Sequence, residues 1–122
     1  MCIRDSACCA AALANLDLLE RDGLLERGRE LEGDLYDAIS QLADHDLVSS
    51  VRGGCGLLAA AELHPDVNPI ALAMAARKGG VLIRPLGSAF AVSPPLTATA
   101  DHFELIVEAV STALDELAAV AA

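Results

Sequence analysis

One stretch limits the fold of this chain more than any other: Gly79-Gly80-Val81-Leu82-Ile83-Arg84-Pro85-Leu86-Gly87-Ser88-Ala89-Phe90-Ala91-Val92-Ser93-Pro94-Pro95-Leu96. Two short apolar runs flank a Pro/Gly turn, and glycine and proline pairs bound them on the outside. Runs this short, rich in β-branched and aromatic residues, suit buried strands better than helices. The pattern predicts a hairpin-like pair of strands with Arg84 at the end of the first run. A guanidinium held there, just before a proline, either meets solvent or receives an anion. Its planar fork suits a carboxylate or a phosphate.

The rest of the chain supplies helices to cover such a hairpin. Ser6 is positioned to cap a helix from about Ala7 to Asp22, with Leu13, Leu16 and Leu19 on one face and Ala10, Ala12 and Leu18 nearby. Gly23 interrupts it. Leu24, Leu31, Leu35, Ile39 and Leu42 predict a second helix up to about Ala43, although Gly28 and Gly33 inside it each cost about 1 kcal/mol relative to alanine. Leu47 to Arg52 and Leu57 to Leu63 read as strands around the turn Gly53-Gly54-Cys55-Gly56. Asn68 caps a short helix with Pro69 at its first position, and Gly79-Gly80 ends it. After the hairpin, Thr99 caps a last helix whose apolar stripe is Phe103, Ile106, Val107, Val110, Leu114 and Leu117. The order α-α-β-β-α-β-β-α predicts an α+β domain of two layers, with helices packed on one face of a small, mainly antiparallel sheet. The first helix carries more apolar surface than such a sheet needs.

Composition removes whole classes of function. The 122 residues make one domain or a piece of a larger one. A net charge of −10 repels phosphate backbones and anionic membranes. Tyr36, Phe90 and Phe103 are the only aromatics, too few to stack single-stranded nucleic acid. No apolar run approaches the roughly 20 residues of a membrane-spanning helix. Met1-Cys2-Ile3-Arg4-Asp5-Ser6 lacks the basic start and apolar centre of a signal peptide, so a cytoplasmic location is expected. Cys2, Cys8, Cys9 and Cys55 form no CxxC pair and read as reduced, buried or idle thiols.

The remaining candidate motifs are weak. Gly54-Cys55-Gly56-Leu57-Leu58-Ala59 fits a loose dinucleotide fingerprint, but too few residues separate it from His64-Pro65 for the helix that would hold a pyrophosphate. A tight turn is expected instead. His45, His64 and His102 lie far apart, and none has a second ligand three or four residues away, so no metal site is expected. Glu20, Glu26, Glu30, Glu32, Asp34 and Asp37 read as a solvated helix surface. Arg52 sits like Arg84 at a strand end, with carbonyls or a second-helix carboxylate as its expected partners. Arg84 is left as the candidate ligand-binding residue.

Four segments then fall into a familiar order: Ala10-Ala11-Ala12-Leu13-Ala14-Asn15-Leu16-Asp17, Val51-Arg52-Gly53-Gly54-Cys55-Gly56-Leu57-Leu58, Gly80-Val81-Leu82-Ile83-Arg84-Pro85-Leu86-Gly87 and Ser93-Pro94-Pro95-Leu96. Together they resemble the C-terminal part of the class III aminotransferases, pyridoxal-phosphate enzymes of fold type I. The resemblance runs from about residue 7 to 117. It implies an enzyme that moves an amino group from an amine or amino-acid donor to a keto or aldehyde acceptor, usually as a homodimer with active sites at the subunit interface. It also implies a C-terminal fragment, inactive alone, whose Schiff-base lysine and cofactor contacts lie upstream. Lys78, the single lysine, does not match the Schiff-base position.

Within that resemblance, residues 1–6 are a leader foreign to the family, an artefact of assembly or a spurious start. Residues 7–22 are the helix linking large and small domains, and residues 23–122 the small α+β domain. Arg84 maps to a position that in several members pairs with the substrate carboxylate. Ser88 stands where the family usually has an acid, which leaves open how the turn is pinned. The competing expectation is a stand-alone module that binds a small acid through Arg84, or that dimerises.

Overall fold

The computed structural model describes residues 6–121. Its elements are α1 (Ser6–Arg21), α2 (Leu24–Ser40), a 3-10 turn (Gln41–Asp44), β1 (Val48–Arg52), β2 (Ala59–Leu63), α3 (Pro69–Lys78), β3 (Arg84–Leu86), β4 (Ala89–Val92) and α4 (Ala100–Ala121). The four strands form one antiparallel sheet in the order β1-β2-β4-β3. Helices α2, α3 and α4 pack on one face of it, as the α+β two-layer reading requires. Most of the proposed leader lies outside the described residues.

The core is the seam between helices and sheet. Leu35 and Ile39 from α2, Leu72 and Ala76 from α3, and Phe103, Val110, Ala113 and Leu114 from α4 are buried with Ala59, Ala61, Leu63, Phe90 and Val92 of the two central strands. Each helix contributes positions three or four apart, so one stripe per helix meets the sheet. Alanines at 59 and 61 leave room for Phe90 and Phe103, both almost completely enclosed. Gly79 extends the close approach: a Cβ there would meet the Ala109 Cβ at 3.0 Å, so the end of α3 lies tight on α4.

The helix starts at Asn68 and Thr99 fall where the sequence places them, but only Asn68 caps its helix through its side chain. The Asn68 side chain accepts hydrogen bonds from the Ile70 and Ala71 amides at 2.9 and 3.4 Å, with Pro69 opening α3. At α4 the His102 Nδ1 accepts from the Thr99 amide at 3.1 Å, and the Thr99 hydroxyl lies 2.7 Å from the same nitrogen. The histidine satisfies the Thr99 amide as the glutamate of a capping box does, but the Thr99 hydroxyl turns to the imidazole, and the His102 amide bonds the Thr99 backbone carbonyl at 3.1 Å instead.

The hairpin of β3 and β4 departs from expectation. Val81 to Ile83 was predicted as a strand and Pro85 as part of the turn; instead β3 is Arg84-Pro85-Leu86, and the turn is Gly87-Ser88 alone. Val81 and Ile83 are buried as core anchors without joining the sheet. Pro85 is tolerated because β3 is an edge strand, where a missing N–H leaves no ladder partner waiting. Gly87, with φ 59°, supplies the positive φ that a two-residue hairpin turn requires at its first central position. Other shifts are smaller. Helix α2 ends at Ser40 and its predicted last turn is a 3-10 turn, and β2 begins at Ala59, two residues late.

Helix α1 stands apart. Its main packing neighbour is α2, and none of its described residues is buried. Leu13 and Leu16 are 63% and 55% exposed, so the surplus apolar surface read from the sequence is present as an uncovered face. Cys8, Cys9 and Cys55 are exposed rather than buried, since they lie on this helix and in the glycine turn. Among the described residues, no helix is long and apolar enough to cross a membrane.

Candidate active-site face

The helices cover one face of the sheet and leave the other open. Strand register sorts the open face into two rows. Arg52, Ala60, Ala91 and Arg84 stand side by side in one; Ser50, Glu62, Ala89 and Leu86 form the next. The two arginines therefore end a single row, separated by two alanines.

Their surroundings differ. The Arg52 Nη2 donates to the Glu62 Oε2 at 2.8 Å, so its partner is a cross-strand carboxylate and not the carbonyls or second-helix acid expected from sequence. The Ser88 hydroxyl donates to the other oxygen of Glu62, and the Leu63 amide donates to the Ser88 carbonyl at 2.9 Å. Glu62 thus ties β1 to the hairpin turn, which explains how a serine at 88 pins that turn without an acid of its own. Arg84 is exposed and makes no hydrogen bond or ion pair among the described residues. It lines a groove of about 480 Å³ together with Leu58, Leu82, Leu86, Ala91 and Ser93. An arginine without a counter-ion, set among apolar side chains, can receive a carboxylate with both branches of its fork. A second groove of about 320 Å³ adjoins it, sharing Leu82 and Ser93, and its lining is mostly apolar.

The other sequence candidates are accounted for locally. The Gly56 amide donates to the Glu32 Oε2 at 2.8 Å, and β2 rather than a helix follows the loop, so the glycine segment is a turn closed by the chain's own carboxylate. Glu32, read from sequence as part of a solvated surface, has this one specific task. His45 accepts from the Leu47 amide through Nδ1 at 3.1 Å and lies 3.3 Å from Asp115 through Nε2. His64 lies 3.3 Å from Asp66, and His102 caps α4. No cluster of potential metal ligands occurs among the described residues. At the end of α1, the hydrogen bond from Arg21 holds the Asp22 carboxyl below its usual range. Lys78 is 77% exposed and 3.8 Å from Glu116, and it does not line the groove of Arg84.

The family model for aminotransferase class-III matches residues 5–114. The chain belongs to this family. An omega-aminotransferase of Caulobacter vibrioides is 40% identical over 114 residues, covering 89% of this chain and 26% of that protein. An adenosylmethionine-8-amino-7-oxononanoate aminotransferase of Geobacter sulfurreducens is 35% identical, over 82% of this chain and 24% of that protein. Among solved structures, an amine transaminase from an uncultivated Pseudomonas species in a PLP-bound form superimposes with a TM-score of 0.80 at 35% identity, over 88% of this chain and 27% of that one. This class III aminotransferase chain therefore spans about a quarter of the length of the curated relatives it matches.

Proposed function

We propose that this chain is the small C-terminal domain of a pyridoxal-phosphate-dependent class III transaminase, with α1 as the helix that joins it to the large domain. The parent enzyme transfers an amino group from an amine or amino-acid donor to a keto or aldehyde acceptor, acting as a cytoplasmic homodimer. The observation that carries the reading is Arg84, a guanidinium without a counter-ion in an apolar groove of a class III chain.

The residues present do not themselves fit the cofactor. The single lysine is exposed beside Glu116, and the one glycine loop that resembles a phosphate cradle already spends its Gly56 amide on Glu32. The reading therefore gives the Schiff-base lysine and the phosphate contacts to the rest of the parent, and this chain alone is inactive. What the chain contributes is recognition. Arg84 binds the donor's carboxylate, and the exposed Leu58, Leu82 and Leu86 flank that pair with apolar surface, which strengthens it once the large domain of the parent covers the groove.

The test is Arg84→Ala in the full-length enzyme. A hydrogen-bonded charge pair is worth about 1.5–3 kcal/mol, so KM for carboxylate donors should rise by at least about tenfold while simple amines keep theirs. Equal effects on both donor types would remove Arg84 from the role. Pyridoxal phosphate added to the isolated chain should show no absorbance change beyond that of free lysine.

A further inference from the structure

Glu62 is the one acidic strand residue on the open face of the sheet, and it lies within range of Arg84. Two strand intervals of about 4.8 Å and two residues of about 3.4 Å separate the pair, placing their Cα atoms roughly 12 Å apart on the diagonal. An extended arginine and a glutamate together span that gap. In the strand register the residues between them on this face are the short Ala60, Ala89 and Ala91. Nevertheless Glu62 does not touch Arg84. One of its oxygens is taken by Arg52 at 2.8 Å and the other by Ser88.

We infer that Arg52 and Ser88 are positioning residues that hold Glu62 away from Arg84 and so keep Arg84 open to an anionic ligand. The inference rests on the reading of Arg84 as a carboxylate site, but the lock itself is a property of this chain. Three features support it. Arg52 has its own alternative in solvent, being 66% exposed at the side chain, yet it is paired. Glu62 is only 31% exposed and fills both of its oxygens from opposite sides, one from β1 and one from the hairpin turn. The chain's net charge of −10 makes an uncommitted arginine an obvious target for its own carboxylates, so a site that needs a free guanidinium also needs its nearest acid restrained. Removing Arg52 would release one oxygen of Glu62, which then competes with the ligand for Arg84.

The experiment has two arms. In the first, the Nε–Hε resonance of Arg84, assigned with Arg84→Lys, is recorded in the isolated chain by NMR. It should shift in Arg52→Ala, return to the wild-type position in Arg52→Ala/Glu62→Gln, and stay there in Arg52→Lys. A resonance that does not respond to Arg52→Ala, or whose shift survives Glu62→Gln, overturns the lock. In the second, KM is measured for the full-length holoenzyme. Arg52→Ala should raise KM for carboxylate donors about two- to fivefold, the scale of a solvent-exposed ion pair acting as competitor, without changing kcat or KM for simple amines, and Glu62→Gln should cancel the effect. The NMR response without any change in KM would leave the lock standing and instead overturn the carboxylate role of Arg84. Circular dichroism of each variant separates these outcomes from loss of fold.

Discussion

Leu96 fills the space that Gly28 leaves open: a Cβ built on Gly28 would come within 2.7 Å of the Leu96 Cδ2. The contact is what a glycine in the middle of α2 provides, because it brings the Pro94-Pro95-Leu96 segment onto the helix. The Arg27 Nη2 reinforces it with a hydrogen bond to the Ala98 carbonyl at 2.9 Å. Gly33, in the same helix, faces nothing within 4 Å. The two glycines should therefore respond differently to alanine. Gly33→Ala should stabilise by about 1 kcal/mol, the helix propensity difference alone. Gly28→Ala should gain less, because Leu96 must rotate away. Urea midpoints of the two variants, compared at equal m-value, measure the difference directly. Equal gains would mean that Leu96 does not need the space.

The cap at α3 offers a cleaner single-residue test. Asn68 serves two amides that have no intrahelical partner, and Pro69 removes a third. Asn68→Ala should cost about 1 kcal/mol and Asn68→Asp nearly nothing, since aspartate accepts the same bonds. In a domain of this size the loss corresponds to a fall in Tm of roughly 4 °C. A Tm unchanged in Asn68→Ala would place the start of α3 under tertiary control.

What the sequence made readable follows from how local each signal is. The α3 cap and the stripe Phe103, Val110 and Leu114 of α4 were legible because both depend on residues a few positions apart. The place of β3 was not. Pro85 reads as a breaker unless its strand is known to lie at a sheet edge, and the buried run Val81 to Ile83 reads as a strand although burial does not require pairing. The open face was harder still. That Glu62 answers to Arg52 and Ser88 depends on two strand registers and on the β1-β2-β4-β3 order, none of which a single sequence displays. Arg84 could be singled out from its neighbours, but its lack of a counter-ion appears only when the sheet is assembled. The local pattern located the arginine and the family resemblance gave its role as an expectation, whereas the reason inferred above for its staying free lies in the register.

The centre of the sheet sets the scale for core variants. Phe90 is completely buried on β4 and pairs across strands with Ala61 and Pro85. Small neighbours cannot collapse into the space a phenylalanine leaves, so Phe90→Ala should cost about 3–5 kcal/mol. Against a total of about 5–15 kcal/mol for a domain, this loss should lower the urea midpoint by about a fifth or more. Phe90→Leu, closer in volume, should recover most of it. A cost of 1 kcal/mol or less for the alanine variant would contradict the packing of the central strands described above.

The apolar face of α1 gives a prediction about the chain in isolation. Leu13 and Leu16 are three residues apart on one side of the helix, both more than half exposed, and Leu18 is 41% exposed nearby. Contiguous exposed apolar surface of this kind binds hydrophobic dyes and promotes self-association. The isolated chain should therefore enhance the fluorescence of such a dye, and Leu13→Lys/Leu16→Lys should abolish most of that enhancement. Because neither leucine contributes to the core, the double variant should keep its Tm within about 2 °C, as surface changes away from packed features shift stability by no more than about 0.5 kcal/mol. In the full-length enzyme the same double variant should behave in the opposite way, losing stability if α1 is covered by the large domain. Loss of Tm in the isolated chain, with no change in dye binding, would show that α1 packs on α2 more extensively than its exposure indicates and would remove it as the joining surface.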